Sequence, residues 1–183
     1  MTIDMKILEL IQTGFGCDVL DAVMPLITRL GDGGILWIIC SLLLVIFPKT
    51  RKAGMAVATG LVLEALCCNV VLKPLVARTR PYDVNSAVQL LIAKQVDYSF
   101  PSGHTAAAFA GMSALYFSKS RGVIPALVLS VLIAFSRLYL YVHYPTDILG
   151  GALLGTLAGW MAVRLLSRYD IWKSKQSKNS CRG

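Results

Sequence analysis

Charge and histidine are both scarce in this 183-residue chain. Asp, Glu, Lys and Arg make up 15% of it and His occurs twice, against 56% hydrophobic residues. A soluble domain is about a quarter charged. With a mean hydropathy of +0.64, this shortage excludes an ordinary soluble fold and makes the chain an integral membrane protein of one domain, 1–183. Paired cysteine is also missing. Cys17, Cys40, Cys67, Cys68 and Cys181 are odd in number and show no C-x-x-C spacing, which argues against a disulfide framework or a cysteine metal site. No basic stretch is interleaved with aromatics, so the formal charge of +8 does not point to nucleic acid. Loops and a tail at an anionic membrane surface account for it better. The first thirty residues lack a basic leader and a small-residue cleavage site, so no removable signal peptide is expected.

What the chain does have is long apolar runs. Stretches 33–48, 51–76, 102–118, 122–142 and 146–168 are candidates to cross roughly 30 Å of hydrocarbon. Residues 4–30 read as an amphipathic stretch to Thr13, a break at Gly14–Gly16, and a short segment around Pro25. That segment either completes a sixth crossing or lies in the interface. The expected fold is therefore all-α: an integral membrane bundle of about six helices, five clear spans plus a short N-terminal segment. The parts are N-terminal helices (1–30), a helical core (33–168) and a basic tail (169–183).

Lys49, Arg51 and Lys52, then Lys119 and Arg121, then Arg164, Arg168 and the tail lysines fall on one side of an up-and-down bundle. The positive-inside rule makes that side, and the C-terminus, cytoplasmic. The opposite face carries three polar clusters: "KPLVARTRP" (73–81), "PSGH" (101–104) and "SRLYLYVHYPTD" (136–147).

Each cluster has a chemical reading and a plainer one. Lys73 and Arg80, seven apart, share a helical stripe if the helix continues that far, and two fixed cations can bind an anion; alternatively they snorkel to headgroups. Pro101 and Ser102 open a helix whose N–H groups favour phosphate, with Gly103 allowing close approach and His104 placed to deliver a proton; the alternative is a cap beside an interfacial His. His143 and Asp147 are four apart, with Pro145 tolerated in the first helical turn. A carboxylate at one imidazole nitrogen leaves the other as base or nucleophile, although a structural His–Asp hydrogen bond has the same spacing. Arg137 adds a guanidinium that can grip phosphate oxygens in pairs. Both histidines fall on one face with three cations, an arrangement suited to phosphoryl transfer. No acidic cluster for Mg²⁺ is visible, leaving the cations to neutralise the transition state.

Lys73-x₆-Arg80-Pro81, Pro101-Ser102-Gly103-His104 and Ser136-Arg137-x₅-His143-x₃-Asp147 together resemble the three-part signature of the type 2 phosphatidic-acid phosphatase superfamily. The resemblance implies His143 as a nucleophile forming a phosphohistidine, Asp147 orienting it, and His104 protonating the leaving group and then activating water. It implies that Lys73, Arg80, Ser102, Gly103 and Arg137 hold the phosphoryl oxygens, with no metal or other cofactor. Soluble vanadium haloperoxidases share the signature, but the hydrophobicity here disfavours that branch. The expected activity is hydrolysis of a membrane lipid phosphate or pyrophosphate at the extracytoplasmic face of the plasma membrane. Small bacterial relatives suggest undecaprenyl pyrophosphate or phosphatidylglycerol phosphate. A lipid phosphotransferase and a non-hydrolytic lipid-phosphate binder or transporter are the alternatives.

Three further segments carry expectations. Residues 84–100 have an apolar centre and either shape lateral access of the lipid from the interface or pack one side on the bundle. Gly151, Gly155 and Gly159 form a stripe for close helix contact, within the bundle rather than between chains. The Lys- and Ser-rich tail from Lys173 is expected to be disordered.

Overall fold

The structure, a computed structural model, describes residues 2–180, with side chains through Tyr169. Its described residues are helical with no strand: α1 Ile3–Phe15, α2 Asp18–Arg29, α3 Ile35–Ile46, α4 Arg51–Ala65, α5 Lys73–Val76, α6 Pro81–Val84, α7 Gly103–Phe117, α8 Val123–Tyr139 and α9 Pro145–Ser180. The stretches Arg51–Val84 and Pro145–Tyr169 are each long and apolar enough to cross a membrane, and α2 with α3 reaches that length across a 43° bend. The expected spans are otherwise shorter than a full crossing of about 20 residues: α3 has 12 residues, α7 15 and α8 17.

α7 is the central helix. Ala106, Ala107, Ala108, Ala110, Gly111, Ser113 and Ala114 are all buried, and a helix apolar all round must be enclosed by others. Small side chains let neighbours approach its backbone. A Cβ on Gly155 would fall 2.2 Å from the Ala106 carbonyl oxygen, and one on Gly159 would fall 2.1 Å from Ser113 Oγ. The glycine stripe of α9 is thus used within the bundle, against α7. This contact sets the height of α9 relative to the start of α7. The Ser102 N–H donates to the Asp147 carbonyl at 3.1 Å.

Lys73 and Arg80 do not share a helical stripe. The helix passes through a π-helical stretch, Leu66–Leu72, and ends after α5, where Ala77 adopts a left-handed φ of 47°. Pro81 disfavours helix at the residue before it, and Arg80 is extended with ψ 155°. The two cations converge through this fold-back rather than through helical periodicity.

Residues 4–30 touch the site end of the bundle along their length. Asp4 accepts from the Thr146 hydroxyl at 2.6 Å and the Gln12 amide donates to the Tyr139 carbonyl. Tyr139 donates to Asp21, and Arg137 donates to Thr28 at 2.7 Å. These hydrogen bonds seat the segment against the site end of the bundle, while α2 is also one half of the bent α2–α3 pair that together reaches crossing length. Among residues 84–100, Val88, Leu90 and Ile92 pack on the core cluster formed by α1, Tyr82 and the 139–144 turn, whereas Leu91 and Val96 are exposed. The tail expected to be disordered from Lys173 instead continues α9 to Ser180, no Gly or Pro interrupting the helix there. Residues 181–183 lie outside the described residues.

Candidate active site

The turn between α8 and α9 holds His143 and Asp147 almost fully buried, at 1% and 0% exposure. α8 stops at Tyr139, and Tyr141 takes a left-handed φ of 59°. A non-glycine residue in that region marks local strain of the kind found at functional sites. The chain reverses there, and Pro145 starts α9 with its fixed φ, setting Asp147 in the first turn. The Nδ1 atom of His143 lies 3.5 Å from Asp147 Oδ2, a long approach of the kind that shortens to a hydrogen bond in a substrate complex. Its Nε2 lies 3.3 Å from the Arg80 guanidinium. Guanidinium only donates, so Nε2 is the acceptor and Nδ1 carries the proton. Burial holds the imidazole below its ordinary pKa, the Asp147 carboxylate opposing that shift and Arg137 adding to it. A neutral ring with its Nε2 lone pair among cations is chemically able to attack phosphorus.

Asp147 is fixed from several sides. Ser99 donates its hydroxyl to Oδ2 at 2.5 Å, the Tyr144 N–H donates to the same oxygen at 2.9 Å, and Arg78 donates to Oδ1 at 2.6 Å. Arg78 also donates to Asp4 on α1 at 2.7 Å and stacks 3.9 Å over the Tyr144 ring.

The cations lie beside this pair. Arg80 is 3% exposed, with NH1 donating to the Val142 carbonyl at 2.7 Å and Nε to the Asp97 carbonyl at 2.8 Å. Its NH2 donates to Asp97 Oδ1 at 2.6 Å, while Lys73 Nζ donates to Asp97 Oδ2. Burial alone would raise the Asp97 carboxyl; the Lys73 ammonium and Arg80 guanidinium outweigh it and hold it at about 2. Arg137 is 1% exposed and its Nε has no partner, although NH1 donates to Thr28. A buried donor left open is uncommon and suits a ligand. Arg80 touches His143, Asp97 joins Arg80 to Lys73, and Lys73 lies beside Gly103 at the start of α7, so the three clusters share one site.

Ser102 caps α7, its hydroxyl accepting from the Thr105 hydroxyl at 3.0 Å and, at 3.5 Å, from the Thr105 N–H. A Cβ on Gly103 would sit 3.5 Å from Lys73 Nζ, so this backbone and that ammonium can face one anion. His104 Nε2 is 2.8 Å from Asp32 Oδ1. Asp32 opens a short 3₁₀ turn in which Gly33 and Gly34 take φ of 56° and 67°, a conformation glycine adopts without steric cost.

All eight sequence-predicted residues therefore gather at one end of the bundle. Sequence reasoning missed Asp97, Ser99, Arg78, Asp32, Asp4 and Thr28. A signal existed for the carboxylates and Arg78: in a chain so short of charge, each buried or half-buried ion needs a partner. Among the described residues no three His, Cys, Asp or Glu side chains group as a metal site requires.

Comparison with known proteins places the chain in a family. The PAP2 superfamily profile matches residues 53–170. The chain is 32% identical over 158 residues to an undecaprenyl-diphosphatase of Sulfolobus acidocaldarius, covering 86% of this chain and 76% of that protein. It is 32% identical over 150 residues to the undecaprenyl-diphosphatase BcrC of Bacillus subtilis, covering 80% and 75%. The crystal structure of a transmembrane PAP2-type phosphatidylglycerolphosphate phosphatase from Bacillus subtilis superposes with a TM-score of 0.73 at 28% identity, covering 90% of this chain and 85% of that one. The three-part signature, the all-helical membrane bundle and these matches agree, and the chain belongs to the PAP2 superfamily as a membrane lipid phosphatase.

Proposed function

We propose that this phosphatase removes the terminal phosphate of a lipid phosphate or pyrophosphate without a metal, through a phosphohistidine on His143, at the extracytoplasmic face of the cell membrane. The observation that carries the reading is the orientation of His143. Its Nδ1 faces Asp147 and its Nε2 faces Arg80, so the unprotonated nitrogen is turned toward the cations, and a phosphoryl group taken up by Arg80 together with Lys73 and Arg137 would meet the Nε2 lone pair as the long Arg80 contact gives way. Nε2 attacks, the lipid oxygen leaves with a proton from His104, and water then cleaves the P–N bond while His104 takes its proton. Ser102 and the Gly103 N–H complete the oxygen contacts. The cations supply the charge stabilisation that a metal supplies elsewhere.

Undecaprenyl pyrophosphate and phosphatidylglycerol phosphate are the favoured substrates, since the similar proteins carry those activities in their names. The lysines and arginines at the ends of the bundle opposite the site support the outward orientation. Phosphate release by purified protein in EDTA, wild type beside His143→Ala, tests the mechanism. Release is expected to persist in EDTA and vanish in the variant; release that needs added metal, or survives in His143→Ala, contradicts it. Product analysis with and without an acceptor lipid separates hydrolysis from transfer. A panel of polyprenyl pyrophosphate, phosphatidylglycerol phosphate and phosphatidate ranks the substrates.

A further inference from the structure

The anion position between Lys73 and Arg80 already has an occupant. The two oxygens of Asp97 divide between the cations, Oδ2 to Lys73 and Oδ1 to Arg80, as two phosphate oxygens would. We propose that the Asp97 carboxylate is a built-in stand-in for substrate phosphate: it pairs these cations in the resting enzyme, is displaced by a terminal phosphate, and returns as inorganic phosphate leaves. The inference rests on the reading of Lys73 and Arg80 as phosphate ligands.

The surroundings allow the exchange without opening the fold. The backbone is pinned on both sides of Asp97. The Gln95 N–H donates to the Tyr82 hydroxyl at 3.1 Å, and that hydroxyl donates back to the Gln95 carbonyl. The Ser99 N–H donates to the Arg78 carbonyl at 2.9 Å. Arg80 also holds the Asp97 carbonyl, so the guanidinium stays in place when the carboxylate leaves. The Asp97 side chain itself is 45% exposed, with room to swing toward solvent by rotation about its own bonds. Arg80, at 3%, has none.

The exchange also selects ligands by charge. A terminal phosphate brings up to two negative charges and three free oxygens, enough to replace one carboxylate on two cations. A phosphodiester brings one charge and two free oxygens and gains little by the exchange. Asp97 thus disfavours the diesters that make up most of a membrane and limits retention of product.

The test is inhibition by inorganic phosphate, with KM for the lipid measured alongside. Asp97→Asn keeps the shape and an acceptor oxygen but drops the charge; its inhibition constant for phosphate is expected to fall roughly tenfold, the equivalent of one charge-assisted contact, with a lower KM. Asp97→Ser, too short to reach both cations, is expected to give the same shift. An unchanged or raised inhibition constant in both variants overturns the proposal, because a carboxylate that merely positions the cations weakens phosphate binding when lost. Asp83→Asn removes an exposed carboxylate paired with Lys94; an equal shift there reduces the effect to general electrostatics and also overturns it. Lys73→Gln run beside them must weaken phosphate inhibition. If it does not, the phosphate-ligand reading fails instead.

Discussion

The two histidines are held in opposite ways. His143 lies in a sealed turn, backed by a carboxylate that takes hydrogen bonds from Ser99, Arg78 and the Tyr144 N–H. His104, with a side chain 17% exposed, is backed by one carboxylate, Asp32, which is 57% exposed on a glycine turn. The difference suits the separate steps proposed for the two residues. A nucleophile must meet phosphorus in one orientation, and fixing it needs redundant contacts. A residue that protonates a bulky leaving group and then admits water gains from a looser, wetter seat.

The largest expected break falls on the sealed side. Asp147→Asn should lower kcat about ten-thousandfold, by analogy with loss of the orienting carboxylate in other His-dependent sites, with little change in KM; steady-state phosphate release checks it. Arg78→Ala, one contact further out, should cost about 10–100-fold in kcat, the usual range for partners that orient a functional side chain, and Arg78→Lys should recover part of it. On the open side, Asp32→Asn should cost only about tenfold in kcat, because solvent can replace an exposed partner. A loss as large as that of Asp147→Asn would erase the contrast. The smallest effect is in pH dependence. Burial lowers the His143 pKa and Asp147 opposes that, so the acidic limb of kcat/KM should lie below the ordinary histidine value of about 6.5. In Asp147→Asn the limb should move lower still.

The site was legible in the sequence because its residues stand out chemically: two histidines and a few cations in a chain with little charge. The helix starts were legible for local reasons, Pro145 and Ser102 being strong N-terminal signals. What sequence could not show was the backbone reversal at Ala77, which turns an expected helical stripe into a fold-back. A left-handed alanine leaves no compositional trace. Nor could it show that α1 reaches the site. Asp4 and Arg78 are 74 residues apart, and such pairings depend on tertiary packing rather than on any local pattern. Asp97 and Ser99 sit next to a recognised motif, yet their partners lie across the bundle.

The central claim is covalent attack by His143. Mixing enzyme with lipid labelled in its terminal phosphate, and quenching in alkali within the first turnover, should trap label on the wild-type protein in a linkage stable to base and labile to acid, as a phosphoramidate is. His143→Ala should carry none. Label that remains on His143→Ala, or a wild-type protein that turns substrate over without ever holding label, would contradict the account.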